Sequence, residues 1–174
     1  AGNVFKLTPR GQETVLHDFD GADGRLPWGT LIRDDDGNLY GTTLEGGAGN
    51  RGTVFLLTPA GQETVLHSFA GGSDGAGLQD GVVRDAAGNL YGATYLGGAF
   101  DKGTVFKIEP NGTETVLHDF SGGDDGWSPS APVFLDAHGN LYGTTGYGGF
   151  CLSSTNGCGI VFKLSRSASN KVHP

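Results

Sequence analysis

Methionine is absent from this sequence of 174 residues, cysteine occurs only twice, and basic residues are scarce. The chain has 11 Lys and Arg against 19 Asp and Glu, so its formal net charge is -8 at pH 7. Binding to nucleic acid or to an anionic membrane surface depends on clustered positive charge. The charge balance therefore predicts that neither is a partner.

Long apolar runs are also missing. No segment approaches the roughly 20 apolar residues that a transmembrane helix needs, and the opening AGNVFKLTP has no charged-then-apolar signal pattern. We therefore expect a chain that is not inserted in a membrane. We also expect it to be already processed or to be cut from a longer protein.

Familiar catalytic motifs are absent as well. The sequence contains no GxSxG, no HExxH and no phosphate-binding glycine loop, and no pair of carboxylates stands out by its spacing. These absences predict that the protein is not an enzyme. They also leave no metal ligand assigned.

Glycine, in contrast, is abundant, with 33 residues. Hydrophobic residues make up 36% of the chain and are spread evenly, which is typical of a folded domain rather than a disordered segment. The length corresponds to one domain. Abundant glycine in a folded domain indicates many turns.

Several short segments recur in the same order at intervals of about 51 residues. Each interval contains four short runs rich in β-branched and aromatic residues, bounded by Gly, Pro, Asn and Asp, which is the pattern of β-strands. No helix is needed to explain the pattern. The recurring segments are GNLYG, which begins at Gly37, Gly88 and Gly139, and ETVLH, which begins at Glu13, Glu63 and Glu114.

We label the four runs of one interval strands a to d, and the chain then reads c-d, a-b-c-d, a-b-c-d, a-b-c, or 13 strands. Strand a is a continuous apolar run at 133–135, so both of its faces are expected to be covered. Four-stranded units of this size are typical of propeller blades. The sequence therefore predicts an all-β fold, a β-propeller of about three four-stranded blades per chain. The predicted strands are a at 30–33, 82–84 and 133–135, b at 39–43, 90–94 and 141–145, c at 4–7, 54–57, 105–108 and 161–164, and d at 14–19, 64–69 and 115–120.

In these motifs the chain resembles the Gloeobacter/Verrucomicrobia-type tandem repeats, often called GloVer repeats. The resemblance rests on GNLYGTT, GG, GTVFKL, TP-G and ETVLHDF in succession, and it covers nearly the whole chain. It implies a propeller protein that is secreted or anchored at the cell surface, and it implies no catalytic residues. Members generally carry more repeats than this chain.

Three blades are too few to close a propeller, which usually has about four to eight. Open end blades would expose apolar flanks, which soluble monomers avoid. We therefore expect the repeats, residues 1–164, to be completed by another chain or by a longer array, with 165–174 as a tail. The segments Ala1–Pro9 and Ile160–Ser165 are expected to share or compete for this junction, so that the isolated monomer is not stable.

The loops between the predicted strands differ in length. The a–b and c–d turns are tight, whereas the b–c and d–a loops are long. Because successive strands run antiparallel, all the long loops are expected on one face of the disc. Binding residues favour loops that a rigid scaffold holds, so this loop face is the predicted binding surface.

Two cysteines bracket the b–c loop of the last repeat, which is five residues longer than its counterpart. We expect Cys151 and Cys158 to form a disulfide, since an inserted loop needs a cross-link and the resemblance implies an extracytoplasmic protein. Two reduced thiols are the alternative. The expected location is extracellular or at the cell surface.

Polar residues recur once per repeat beside the long loops. An Asp followed by Gly precedes strand a, where it can accept loop N–H groups or, as the alternative, help to form a calcium site. A His recurs in strand d, and we interpret it as structural because the blades spread these residues around the rim. The residues are Asp23, Asp74 and Asp125, and His17, His67 and His118.

Aromatic side chains on the acidic, Gly-rich loop face could stack on sugar rings, with nearby carboxylates accepting hydroxyl groups. Packing between blades or a protein interface is the alternative. That alternative is favoured, because the two Trp are not at equivalent repeat positions. The candidates are Trp28, Trp127, Tyr95 and Tyr147.

These patterns favour a non-catalytic extracellular propeller module that binds or self-associates through its loop face and blade edges. The alternatives are a glycan-binding, lectin-like propeller and a metal-dependent propeller hydrolase or lyase. A divalent ion held by carboxylates near the ring axis would favour the hydrolase. No cofactor is predicted beyond the calcium alternative.

Overall fold

The structure is a computed structural model that describes residues 2–150 and 156–165. It is all-β, with fourteen strands and two single-turn 3₁₀ helices at Gly72–Asp74 and Gly123–Asp125. No helix in this part of the chain is long and apolar enough to span a bilayer. The strands are β1 (Gly2–Leu7), β2 (Glu13–Phe19), β3 (Ile32–Arg33), β4 (Leu39–Thr43), β5 (Thr53–Leu57), β6 (Glu63–Ser68), β7 (Val83–Arg84), β8 (Leu90–Thr94), β9 (Thr104–Ile108), β10 (Glu114–Asp119), β11 (Trp127–Pro129), β12 (Phe134–Leu135), β13 (Leu141–Tyr147) and β14 (Val161–Leu164).

The strands form successive antiparallel sheets. β1 and β2 make a two-stranded sheet, β3 to β6 and β7 to β10 make two four-stranded sheets, and β12 to β14 make the last sheet with β11 attached to β13. The predicted all-β, propeller-like fold is confirmed. Within one chain β1 and β14 lie in separate sheets, and their meeting across two chains stays a prediction.

The described residues contain one strand more than the 13 predicted. β11 lies inside 121–132, a segment predicted as a d–a loop, and pairs with the end of β13 through Trp127 and Tyr147. β13 continues to Tyr147, two residues beyond the predicted end of strand b. A pairing of three residues is too short to leave an alternating pattern in the sequence.

The GNLYG motif builds the a–b turn and the start of strand b. In the second full blade Gly88 has a φ of 88°, in the region that favours glycine. Asp85 accepts hydrogen bonds from the Asn89 N–H (2.9 Å), Asn89 Nδ2 (2.8 Å) and the Tyr91 hydroxyl (3.0 Å). The same hydrogen bonds form in the a–b turns of the other two repeats.

The last glycine of the motif makes room for a phenylalanine of strand c. A Cβ on Gly92 would lie 2.6 Å from Cζ of Phe106, which is fully buried. Gly41 and Gly143 face a phenylalanine of the adjacent strand in the same way. Strand b therefore requires glycine at this position.

The hydrophobic core is divided into three clusters, and each lies between neighbouring sheets. In the middle cluster Phe69, directly after β6, contacts Phe106 of β9 edge-on, with ring centroids 5.1 Å apart. Equivalent edge-on pairs hold the other clusters. Burial between blades therefore stabilises the fold.

The outward faces of the first and last sheets lack this cover. Phe5 of β1 is 54% exposed, whereas Phe106 at the same repeat position is fully buried. Val161 of β14 is 70% exposed, whereas its counterpart Val105 is fully buried. We call these surfaces the N-terminal flank, formed by Phe5, Leu7 and Val15, and the C-terminal flank, formed by Phe134 and Val161.

The expectation that strand a is covered on both faces is wrong in the last sheet. Val133 is 3% exposed, but Phe134 is 64% exposed. Its counterpart in the preceding blade, Val83, packs against the cluster shared with the last sheet. Phe134 has no such blade beside it in the described part of the chain, so one face of the strand stays open.

Candidate functional site

The long loops lie together because they pair with one another. In each repeat a residue of the d–a loop pairs with the residue that lies two positions after the last Thr of strand b. The first pair is an ion pair, the second is apolar, and the third is an aromatic stack. The pairs are Arg25 with Glu45, Ala76 with Leu96, and Trp127 with Tyr147.

Trp127 contacts two side chains. Tyr147 stacks on it with ring centroids 4.3 Å apart and an interplanar angle of 23°, and Lys102 Nζ lies 4.3 Å from the Trp127 ring centroid. The Trp127 ring therefore already contacts two side chains. A sugar that stacked on the face covered by Tyr147 would have to displace that ring.

The other two candidate aromatics lie apart from this stack. Trp28 is 64% exposed. Tyr95 lines a cleft of about 320 Å³ together with Arg25, Arg51 and Leu96, and Trp28 does not contribute to it. The structure therefore does not gather the four predicted aromatic residues into one binding surface.

The recurring His and Asp residues form pairs. Each His lies on a d strand, and its Asp lies in the d–a loop that follows, so the pair ties the strand to the loop. The shortest distances from Nε2 to a carboxylate oxygen are 2.7 Å for His17 and Asp23, 3.6 Å for His67 and Asp74, and 3.0 Å for His118 and Asp125.

The same Asp residues accept hydrogen bonds from the loop backbone. The donors in the three repeats are the N–H groups of Asp20 (2.9 Å), Ala70 (2.9 Å) and Ser121 (2.7 Å). Burial opposes the ionisation of Asp23, but hydrogen bonds from the Asp20 N–H and His17 outweigh it and lower its pKa. The carboxylate therefore anchors the start of the loop.

A glutamate from the next blade joins two of these pairs. Glu63 is the first residue of β6, and one ligand atom from each of His17, Asp23 and Glu63 lies within 4.8 Å of the other two. Burial raises the pKa of Glu63, the charges of Asp23 and Asp20 raise it further, and His17 opposes them. We call His17, Asp23 and Glu63 the first junction cluster.

The next blade junction repeats these residue types in His67, Asp74 and Glu114, which we call the second junction cluster. Burial, followed by the negative charges of Asp74 and Asp119, raises the pKa of Glu114 to about 7. Glu114 is therefore partly protonated near neutral pH.

Several buried polar atoms of the junction clusters have no hydrogen-bond partner. In the described part of the chain two further atoms share this condition, the hydroxyl oxygens of Ser68 and Ser128. Leaving a buried polar atom unpaired costs about 1–3 kcal/mol, so the clusters are where a partner would stabilise most. The unpaired cluster atoms are Glu63 Oε1, His67 Nε2, Asp74 Oδ1 and Glu114 Oε1.

These clusters were not predicted from the sequence, in which the recurring His, Asp and Glu are separate features. A signal was present, because the His precedes the Asp by six or seven residues in every repeat and the Glu opens each ETVLH segment. Spacing alone does not show that the Glu approaches the preceding blade.

The predicted disulfide falls partly outside the described residues, which do not include Cys151. It stays a prediction, as does the calcium alternative for Asp23, Asp74 and Asp125.

The sequence matches a model of a known repeat family. The model of the Gloeobacter/Verrucomicrobia repeat matches residues 61–173. The chain belongs to the Gloeobacter/Verrucomicrobia repeat family. This confirms the resemblance that the motifs indicate. No curated protein matches the sequence.

Solved structures share the fold of this Gloeobacter/Verrucomicrobia repeat chain. One is the X-ray structure of a protein described as a "putative gluconolactonase", with a TM-score of 0.55, 16% identity and 97% of this chain covered. The chain spans 58% of the length of that protein. At this level of identity the likeness shows the propeller-like fold alone.

Proposed function

We propose that the chain is a non-catalytic extracellular propeller module that assembles through its open blade flanks and offers its loop face for binding. The supporting observation is that the flank residues are exposed, while residues at the same repeat positions elsewhere in the described chain are buried or partly buried. An extracellular location also agrees with the predicted disulfide.

The two flanks are complementary because the chain already contains the contact that they would form. Val105 of β9 belongs to the same buried cluster as Phe162 of the last sheet. Val161 has the repeat position of Val105, and Phe5 has that of Phe162. Docking of an N-terminal flank on a C-terminal flank would therefore repeat the contact between blades.

A second copy of this chain is the partner that we propose for each flank. The flanks carry five large apolar side chains that are 44% to 70% exposed, and soluble monomers rarely expose such patches without a partner. A contact between unlike flanks is head-to-tail, so it forms a ring where the rotation closes.

Substitution of one flank at a time tests this assembly. In sedimentation at micromolar concentration we expect the wild-type chain to exceed its 17.9 kDa monomer mass. Phe5→Asp or Phe134→Asp should yield monomers, because each places an unpaired charge in an apolar contact. Phe100→Asp is the matched control, since Phe100 is 58% exposed on a loop outside both flanks.

Mixing the two flank variants distinguishes head-to-tail docking from a symmetric contact. A mixture of Phe5→Asp and Phe134→Asp holds one intact flank of each kind, so we expect a 1:1 complex that neither variant forms alone. A wild-type chain that stays monomeric, or self-association that neither substitution weakens, would contradict the proposal.

The two alternative functions have less support. The "putative gluconolactonase" shares the fold only, and in the described residues the His, Asp and Glu that come together lie on or after the d strands, at the sheet edge opposite strand a. A propeller hydrolase would need them near the axis. For the glycan alternative, Trp127 already stacks on Tyr147 and contacts Lys102.

A further inference from the structure

We propose that the first junction cluster binds a divalent transition-metal ion such as Zn²⁺, held by Nε2 of His17 and by one carboxylate oxygen each of Asp23 and Glu63. The ion would join two blades. His17 and Asp23 belong to the first sheet and the loop after it, whereas Glu63 begins β6 of the next sheet. This inference is independent of the proposed docking of the flanks.

The geometry of the cluster is close to that of a metal site. One ligand atom from each residue lies within 4.8 Å of the other two, and His17 Nε2 is 2.7 Å from Asp23 Oδ2. Ligand atoms bound tetrahedrally to one Zn²⁺ at about 2.0–2.1 Å lie about 3.4 Å apart. Rotation of the long Glu63 side chain can bring its carboxylate closer. Binding also requires that the hydrogen bond between His17 and Asp23 is given up and that their 2.7 Å contact lengthens, so that Nε2 and the carboxylate oxygen both face the ion.

The unpaired polar atoms are a second and independent reason. Glu63 Oε1 is buried and has no hydrogen-bond partner. At the second junction cluster, His67 Nε2, Asp74 Oδ1 and Glu114 Oε1 are unpaired in the same way. Only the Glu Oε1 atom lacks a partner in both clusters, because His17 Nε2 and Asp23 Oδ2 are hydrogen-bonded to each other. A bound cation would supply this missing partner.

A His–Asp hydrogen bond alone does not explain the cluster. That simpler arrangement occurs in the third repeat, where His118 and Asp125 pair at 3.0 Å. In the first repeat Glu63 brings a second carboxylate close to that of Asp23, and two carboxylates repel each other in a partly buried site. A cation removes this repulsion.

The ligand types select the metal. Imidazole nitrogen with two carboxylate oxygens suits Zn²⁺ and related transition metals. Ca²⁺ takes six to eight oxygen ligands and gains little from an imidazole. A Zn²⁺ ion in this cluster therefore differs from the predicted calcium alternative, in which Asp carboxylates act together with loop carbonyls.

Calorimetric titration of Zn²⁺ into the chain, free of any affinity tag and stripped with EDTA, tests the site. We expect saturable binding and a rise in the melting temperature with Zn²⁺, because an ion that binds only the folded state stabilises it. Glu63→Gln and His17→Ala should each weaken binding at least about tenfold. His118→Ala is the matched control and should leave binding unchanged.

Glu63→Gln keeps the size and shape of the side chain. It therefore tests whether the cluster binds Zn²⁺ even if His17→Ala does not fold. Melting of the metal-free variants shows whether each is folded. Zn²⁺ binding with unchanged affinity and stoichiometry in both variants would overturn the proposal and mark the ion as adventitious. Binding of Ca²⁺ but not Zn²⁺ would overturn it as well.

Discussion

The blade junctions inside the chain and the two flanks at its ends use the same repeat positions in different surroundings. Phe106 is fully buried between two blades, while Phe5 at the equivalent position is 54% exposed. Both residues lie on strand c beside a strand d. In the described part of the chain, Phe5 lacks both a preceding blade and the strands a and b that complete the sheet of Phe106. Burial at this position therefore depends on the completed blade and on the blade stacked before it.

The polar positions show the same contrast. Glu13, Glu63 and Glu114 each begin a d strand, but Glu13 is exposed, whereas Glu63 and Glu114 are partly buried against the preceding blade. A junction between blades thus buries one apolar surface and brings together three titratable groups. At the N-terminal flank the apolar surface is exposed, and within the described residues Glu13 has no preceding blade to pack against.

The largest effect that we predict is the difference in free energy of unfolding between substitutions at Phe106 and at Phe5. Phe106→Ala should reduce the free energy of unfolding by about 3–5 kcal/mol, because it leaves a cavity between two blades. Phe5→Ala should reduce it by less than about 1 kcal/mol. Urea unfolding measures both, in the Phe134→Asp background so that docking of the flanks does not contribute.

A similar loss for the two variants in that background would contradict the comparison, since it would mean that Phe5 is as well covered as Phe106. Phe55→Ala is a further check. Phe55 is fully buried at the preceding junction, so its substitution should resemble that of Phe106.

A smaller effect is predicted for the glycine that faces Phe106. Gly92→Ala should reduce the free energy of unfolding by about 1–3 kcal/mol, because its Cβ would lie 2.6 Å from Cζ of Phe106. Urea unfolding again provides the measurement. The double variant Gly92→Ala/Phe106→Leu lacks the atom that clashes, so its loss should be smaller than the sum of the single losses. Additive losses would show that the clash is not the cause.

The fold could be predicted from the sequence because every repeat carries the same strand and turn signals. Strand b was predicted at 39–43 and 90–94, and β4 and β8 have these bounds. Strand a is shorter than predicted, since only Ile32 and Arg33 face the backbone of β4. An apolar run indicates burial, but it does not show where backbone pairing ends.

The candidate site could be predicted only in part. The recurring His17 and Asp23 are visible in the sequence, and their local spacing suits a pair. Glu63 lies a further 40 residues along the chain, and its approach depends on how two blades stack. Such contacts leave no periodic signal, because each sheet has its own alternation and the angle between sheets is not encoded in it.

The smallest effect that we predict is in the pH dependence of stability, where Glu114 should differ from its exposed counterpart Glu13. Burial and the charges of Asp74 and Asp119 raise the pKa of Glu114 from 4.5 to about 7, so the folded state binds more protons than the unfolded state between these values. The contribution of Glu114 is therefore fully present below about pH 4.5 and is lost as the pH rises through about 7.

Urea unfolding at about pH 5 and about pH 8, with EDTA present, measures this effect. The midpoint of Glu114→Gln should exceed that of wild type by more at about pH 8 than at about pH 5. For the control Glu13→Gln, the difference in midpoint from wild type should be the same at both pH values. Parallel pH profiles for wild type and Glu114→Gln would contradict the burial of this carboxyl at the blade junction.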